Sequence, residues 1–116
     1  MGRFVDGMIA PINSSLKDEY LERVKFEGEL FKKHGALSVM ECWGVDVPEG
    51  ELTSMPKAVQ LQPGETVLLS WIVWPDKATR DAGMEAVMND PDMGGDTMLF
   101  DGKRLIFGGF DVLLES

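Results

Sequence analysis

The stretch ETVLLSWIVWPDKATRDAGMEAVMND, residues 65–90, decides the fold. It reads as one apolar strand running into a capped helix. Side chains alternate across a strand with period two, so Val67, Leu69, Trp71 and Val73 share one face and Leu68, Ser70, Ile72 and Trp74 the other. Both faces are largely apolar. A strand wetted on one side alternates apolar with polar residues, so this one is expected at the centre of a sheet, covered on both sides. Pro75 closes the strand. Asp76 is a good N-cap for a helix over Lys77–Asn89, with Ala78, Ala82, Val87 and Met88 as its buried side. Small residues there would let the helix lie close to the sheet.

Working outward, Phe4–Ile12 is expected to be a first strand. Asn13, Ser14 and Ser15 offer caps, and Ser15 with Asp18 resembles a capping box. A helix over Ser15–His34 follows. Leu16, Tyr20, Val24 and Phe31 recur at helical spacing as its buried face, with Leu21 and Leu30 at the edges. Acidic residues stand early and Lys32, Lys33 and His34 late, as the helix dipole favours. Gly35 is the expected C′ residue. Leu37–Val45 is a second strand. The loop 46–64 is rich in Pro and Gly, and Lys57–Leu61 within it reads equally as a short strand or a helical turn. After the second helix, Asp90-Pro91 is a stop, and Lys103–Val112 is the last strand.

The order is β-α-β-β-α-β, the split βαβ or ferredoxin-like pattern of the α+β class. It gives a four-stranded antiparallel sheet with both helices on one face, in a single domain over residues 1–116. Too many strand residues are apolar for the helix-free face to stay in water. The simplest cover is a second copy of the same sheet, an isologous homodimer. A monomer whose long loop folds over the sheet is the alternative.

Four stretches also carry a family resemblance: FVDGMIAPI, KKHGALSVMECWGVDVPEG, ETVLLSWIVWPDKATRDAGMEAVMNDPDM and FDGKRLIFGGF. Their most specific parts are Glu41-Cys42-Trp43-Gly44, Ser70-Trp71 and Asp101-Gly102-Lys103-Arg104. The chain resembles the YbaA-like proteins, a bacterial domain-of-unknown-function family, over essentially its whole length. The resemblance implies the dimeric α/β-barrel superfamily and the same sheet-on-sheet dimer. It supplies no catalytic residues. Some relatives bear a label linking them to the signal-recognition-particle RNA, for which this chain offers no physical support.

That last point rests on charge. With 20 acidic and 11 basic residues the net charge is −9, which argues against a nucleic-acid backbone or an anionic membrane as partner. A single cysteine, Cys42, excludes an intramolecular disulfide and is expected to act as a small buried hydrophobe. There is no apolar run long enough to cross a bilayer as a helix and no basic-then-apolar start, so a cytoplasmic location is expected.

No cofactor or metal site is expected. One histidine and one cysteine cannot make a zinc site without carboxylates. Asp90, Asp92, Gly95, Asp96 and Asp101 fall at calcium-loop spacing, but Gly94 stands at the fifth position, the twelfth is not Glu, and Pro91 interrupts. Three catalytic candidates remain. His34 is the only side chain with an ordinary pKa near neutrality, although its place at a helix end explains it as a cap. Asp6 and Glu41 are carboxylates in otherwise apolar strands, and such groups must pair or shift their pKa. Arg104, on a strand beside the first, is the expected partner of Asp6. Trp43 and Trp71 are the candidate walls of a ligand pocket, with Arg104 as a further ligand-binding candidate. Arg80 and Asp81 are expected to be solvated or paired at the helix surface.

No nucleophile elbow, P-loop, dinucleotide fingerprint or metalloprotease motif is present. The expectation is a homodimer binding a small apolar or aromatic molecule. The alternatives are a cofactor-independent monooxygenase- or isomerase-like enzyme, by superfamily analogy, and a purely structural module.

Overall fold

In the computed structural model, described over residues 2–93 and 98–116, four strands form one antiparallel sheet in the order β2-β3-β1-β4. They are β1 (Phe4–Asn13), β2 (Ser38–Trp43), β3 (Glu65–Trp74) and β4 (Ile106–Asp111). The long helices are α1 (Lys17–Lys33) and α3 (Lys77–Met88), and a short α2 (Met55–Ala58) lies in the loop before β3. The fold is ferredoxin-like, α+β, with the expected element order and the residue 65–74 strand at the expected central position. The last strand starts later than Lys103, because residues 102–104 form a 3₁₀ turn capped by Asp101, which accepts from the Lys103 N–H at 2.9 Å.

Strand register assigns the faces. Phe4 pairs with Trp74, Asp6 with Ile72, Met8 with Ser70 and Ala10 with Leu68. Glu41 pairs with Ser70 and Trp43 with Leu68. All these residues share the face that carries the helices. Two apolar clusters hold them there. Ile12, Tyr20, Val24 and Leu68 form one, and Phe4, Ala36 and Trp74 the other. Phe31 of α1 meets the Trp74 ring edge-on at 6.4 Å.

Local sequence explains how each helix is seated. Helix α1 ends in a Schellman motif: Ala36 N–H donates to Phe31 O at 3.0 Å and Gly35 N–H to Lys32 O at 3.2 Å. Gly35 takes φ +115°, which suits glycine. The start differs from expectation. Of the three caps on offer Asn13 serves, accepting from the Ser15 N–H at 2.9 Å, and a 3₁₀ turn over Ser14–Leu16 precedes the helix. The turn consumes the capping group, so no Ser15–Asp18 box forms. Helix α3 begins as expected at Asp76, which accepts from the Thr79 N–H at 2.7 Å.

The buried stripe of α3 keeps Val87 of the expected set and otherwise differs. Gly83 and Val87 are buried, whereas Ala78, Ala82 and Met88 are exposed. A Cβ on Gly83 would stand 2.5 Å from both His34 O and the Trp74 ring. Closest approach therefore falls at Gly83, and the helix turns its alanines outward.

The helix-free face is apolar along β3 and its neighbours. Met40, Ile106 and Phe110 lie in this phase and are 49%, 44% and 60% exposed. The loop covers one end only: α2 lies against β3, and Pro56, Val59, Pro11 and Val67 are buried. Ser54 caps α2, accepting from the Lys57 N–H at 3.1 Å, so this segment is a helical turn. No helix of the described residues is long and apolar enough to cross a membrane.

Candidate functional site

Between the sheet and its helices lies a cavity of about 500 Å³. Its walls are Met8, Ile72 and Phe107 from the sheet, Phe31 from α1, Met84 and Met88 from α3, and Met93, Phe100 and Leu105 from between α3 and β4. The floor includes Gly7, Trp71 and Gly108, neighbours across three strands whose side-chain positions point to the other face. Two polar groups, one built on Asp6 and one on Glu41, stand at separate places in this apolar lining. Both acids therefore share the helix-bearing face and one cavity.

At the first, Asp6 is gripped by Arg80. Arg80 Nε reaches both carboxylate oxygens at 3.1 Å, and Nη2 reaches Oδ1 at 2.9 Å. The Trp74 Nε1–H donates to Oδ2 at 2.9 Å. Arg80 Nη1 goes to Asp81 at 2.7 Å, and the guanidinium lies 4.8 Å from the Phe4 ring centroid. These carboxylates hold the Arg80 pKa above its already high ordinary value. Gly109 stands opposite Asp6, and a Cβ there would meet Arg80 Nη2 and Phe4 at 2.7 Å. Glycine leaves the space in which the arginine stacks.

Arg104 is not the partner of Asp6. Strand β4 begins with Ile106 opposite Ile9, which places Asp6 level with Gly109 and leaves Arg104 before the strand. Arg104 instead makes a fork with Glu65, both bonds 2.8 Å, and bonds Asp101 at 2.9 Å and Gln60 O at 3.0 Å. It ties the turn before β4 to the start of β3. Arg80, expected to be solvated or paired at the helix surface, does pair with Asp81 there but also reaches in to Asp6, leaving its side chain 25% exposed.

At the second, the Tyr20 hydroxyl donates to Glu41 Oε1 at 2.7 Å. Glu27, one helical turn after Val24 and two after Tyr20, also lines the cavity. The Glu41 residue is exposed overall, yet packing around its carboxyl group raises its pKa; the Tyr20 bond opposes this and the charge of Glu27 adds to it. Burial likewise raises Glu27, against the pull of Arg23. Burial, then the neighbouring Glu41 charge, pushes the Tyr20 phenol far up. Ser70 lies directly opposite Glu41, is 6% exposed and lines the cavity.

Of the remaining candidates, only Trp71 touches the cavity, at its floor. Trp43 is on the helix-bearing face but packs on Tyr20, 6.4 Å between ring centroids, and under Lys17, outside the cavity lining. Trp71 projects to the opposite face, beside Met40. The two tryptophans cannot wall one pocket, because Trp43 is level with Leu68 and Trp71 is three residues further along, in the opposite phase. Methionine and phenylalanine take their place. His34 bonds Asp90 at 2.8 Å, away from the cavity, and pins the end of α1 to the end of α3. That contact is the largest cause holding Asp90 down to about 2. Cys42 is free and half-buried on the helix-free face. Of the calcium-loop positions, Gly94, Gly95 and Asp96 lie outside the described residues; among those described, no group of three His, Cys, Asp or Glu side chains is placed to hold an ion.

Tyr20, Glu27, Phe31 and Met84 were missed as site residues. Their signal was present: Tyr20, Glu27 and Phe31 sit on one stripe of α1, and Arg80 and Met84 flank the costly mid-helix Gly83.

The family model described as "Protein of unknown function (DUF1428)" matches residues 3–102. The chain belongs to this family. Uncharacterized protein YbaA of Escherichia coli strain K12 is 42% identical over 116 residues, covering 98% of this chain and 99% of that protein, and its Shigella flexneri counterpart matches equally. Among solved structures, a dimeric ferredoxin-like protein from an uncultured marine organism superposes with a TM-score of 0.64 at 10% identity, covering 100% of each chain. A putative antibiotic biosynthesis monooxygenase from Bacillus cereus gives 0.60 at 9% identity, covering 100% of this chain and 98% of that one. These two likenesses concern the fold of this DUF1428 member.

Proposed function

We propose that this DUF1428 protein is a cytoplasmic homodimer that binds a small apolar or aromatic molecule in the cavity of each subunit. The observation that carries the reading is the cavity itself. Its 500 Å³ falls within the roughly 300–1,000 Å³ of small-molecule sites, and its lining is apolar with two localised polar groups, the usual division between affinity and orientation. Four methionines in the wall suit a ligand of adaptable shape, because thioether side chains repack readily. The dimer rests on the apolar helix-free face, of which α2 covers only one end, and on the dimeric state named for one of the structural neighbours. A purely structural module would not need such a cavity.

The test is thermal denaturation against a panel of small aromatic and aliphatic compounds. A ligand present at 100 times its Kd adds about 2.7 kcal/mol, a readily visible shift. Failure of every compound at millimolar concentration would remove the reading. For the dimer, Trp71→Glu places a charge on the joined faces and is expected to give monomers by sedimentation.

A second reading is an enzyme. Glu41 and Tyr20 form a proton-carrying pair at the cavity, and one structural neighbour bears the description of a monooxygenase. Here Glu41 would be the acid or base, with Asp6 as the lesser candidate because its oxygens are already engaged. Loss of a discovered turnover in Glu41→Gln, with retained folding, separates this reading from simple binding.

A further inference from the structure

Resting on the proposed binding function, the charge around the cavity narrows the class of ligand. The lining contains three carboxyl side chains, Asp6, Glu27 and Glu41, and among the described residues one cation, Arg80. Arg80 offers little to an anion. Its Nε and Nη2 are on Asp6 and its Nη1 is on Asp81, so its single positive charge is already matched by two carboxylates. Asp6 is equally closed, taking Arg80 and the Trp74 indole N–H together.

Glu41 is different. Among the described residues its one donor is the Tyr20 hydroxyl, on Oε1, which leaves Oε2 unengaged at the cavity lining. Glu27 stands near enough to act on it by charge, so the surroundings of Glu41 repel a further anion. The chain as a whole carries −9, a field of the same sign.

We propose that the cavity takes an apolar molecule ending in an amine, with the ammonium on the free oxygen of Glu41, and that it rejects the corresponding carboxylic acid. A carboxylate in the same place would meet Glu41 and Glu27 with Arg80 already occupied. The amine brings three donors to an acceptor that has one, and an apolar body fills the Met- and Phe-lined remainder.

The test uses matched probes on one skeleton: 1-naphthylmethylamine, 1-naphthalenemethanol and 1-naphthoic acid. Binding to the intact protein is measured at pH 7 by calorimetry, with melting temperature as a second readout. The amine is expected to bind at least tenfold more tightly than the acid. Glu41→Gln should reduce that preference to threefold or less. Tyr20→Phe frees Oε1 as a second acceptor and should keep or widen it. A preference for the acid overturns the inference and leaves the binding function standing. An amine preference unchanged in Glu41→Gln overturns the assignment to Glu41. If none of the probes binds, this inference is overturned, and the binding function falls with it only when the wider aromatic and aliphatic panel fails as well.

Discussion

Asp6 and Glu41 look alike in sequence and end in opposite circumstances. Each is a carboxylate in a strand of apolar residues, and both face the helices across one cavity. Asp6 takes a two-pronged guanidinium and an indole N–H. Glu41 takes one phenol, with a second carboxyl group nearby rather than a cation. Asp6 is thus a fastening between β1 and α3, and Glu41 is a carboxyl group beside a pocket with one donor on it. The difference comes from the helix above each acid: α3 brings an arginine over Asp6, while α1 brings Tyr20 and Glu27 over Glu41.

If that contrast is right, removing the cation over Asp6 should do the most damage. Arg80→Ala leaves a half-buried carboxylate with only Trp74 as donor. Breaking a buried pair by removing one partner costs roughly 3–5 kcal/mol. The low end, about 3 kcal/mol, is expected, because Arg80 and Asp6 are still 25% and 16% exposed. By urea denaturation Asp6→Asn should be milder, since the amide oxygen still accepts from Trp74. A loss under about 1 kcal/mol for Arg80→Ala would make the pair an ordinary surface one.

The next effect attacks the contrast through the seating of α3. In Gly83→Ala the new methyl would stand 2.5 Å from His34 O and from the Trp74 ring, both fixed by their own packing. Overpacking costs roughly 1–3 kcal/mol, offset by the roughly 1 kcal/mol that alanine gains over glycine in a helix. A net loss of about 1 kcal/mol is expected, with weaker Asp6–Arg80 coupling in a double-mutant cycle. A gain in stability would show that α3 can move away without cost.

Away from the cavity and its acids, Asp90 offers a control of opposite sign to Glu41. Its folded pKa, about 2, lies below the unfolded value near ~3.9. Its contribution is therefore complete above the unfolded value and is lost as pH falls towards about 2. Asp90→Asn should flatten the acid end of the stability curve. His34→Ala should flatten it in part, since Lys33 and the Asp92 N–H still bond Asp90.

These contrasts also show how far the sequence can be read. Period-two alternation and helix caps located every main element, because those signals are local. The apolar phase of β3 likewise placed it at the centre of the sheet. What failed was information carried between elements. The sequence leaves Arg80 solvated or paired at the helix surface: one partner, Asp81, is adjacent, but the one that draws it over the sheet, Asp6, is 74 residues away. Arg104 was given to Asp6 by strand adjacency alone, and a start of β4 three residues later than expected removed the match. Trp43 and Trp71 were grouped by residue type, although strand phase separates them. The mid-helix Gly83 was the overlooked clue: a glycine retained at a cost in propensity marks close approach, and counting three residues back from it reaches Arg80.

The smallest effect is the most diagnostic. Glu41→Gln should change stability by no more than about 1 kcal/mol, because the amide oxygen can still accept from Tyr20 and only the charge-assisted part of one hydrogen bond is lost. Its sign should depend on pH. The folded pKa of Glu41 is raised, so ionisation opposes folding. Wild-type stability from this group is complete below the unfolded value near ~4.3 and is lost as pH rises through the folded value. Gln cannot ionise. Chemical denaturation from pH 4 to pH 8 should therefore show Glu41→Gln gaining on the wild type as pH rises, the reverse of the Asp90 pattern. If the variant instead falls behind, Glu41 has a cationic partner in solution, and its likeness to Asp6 would extend from sequence to structure.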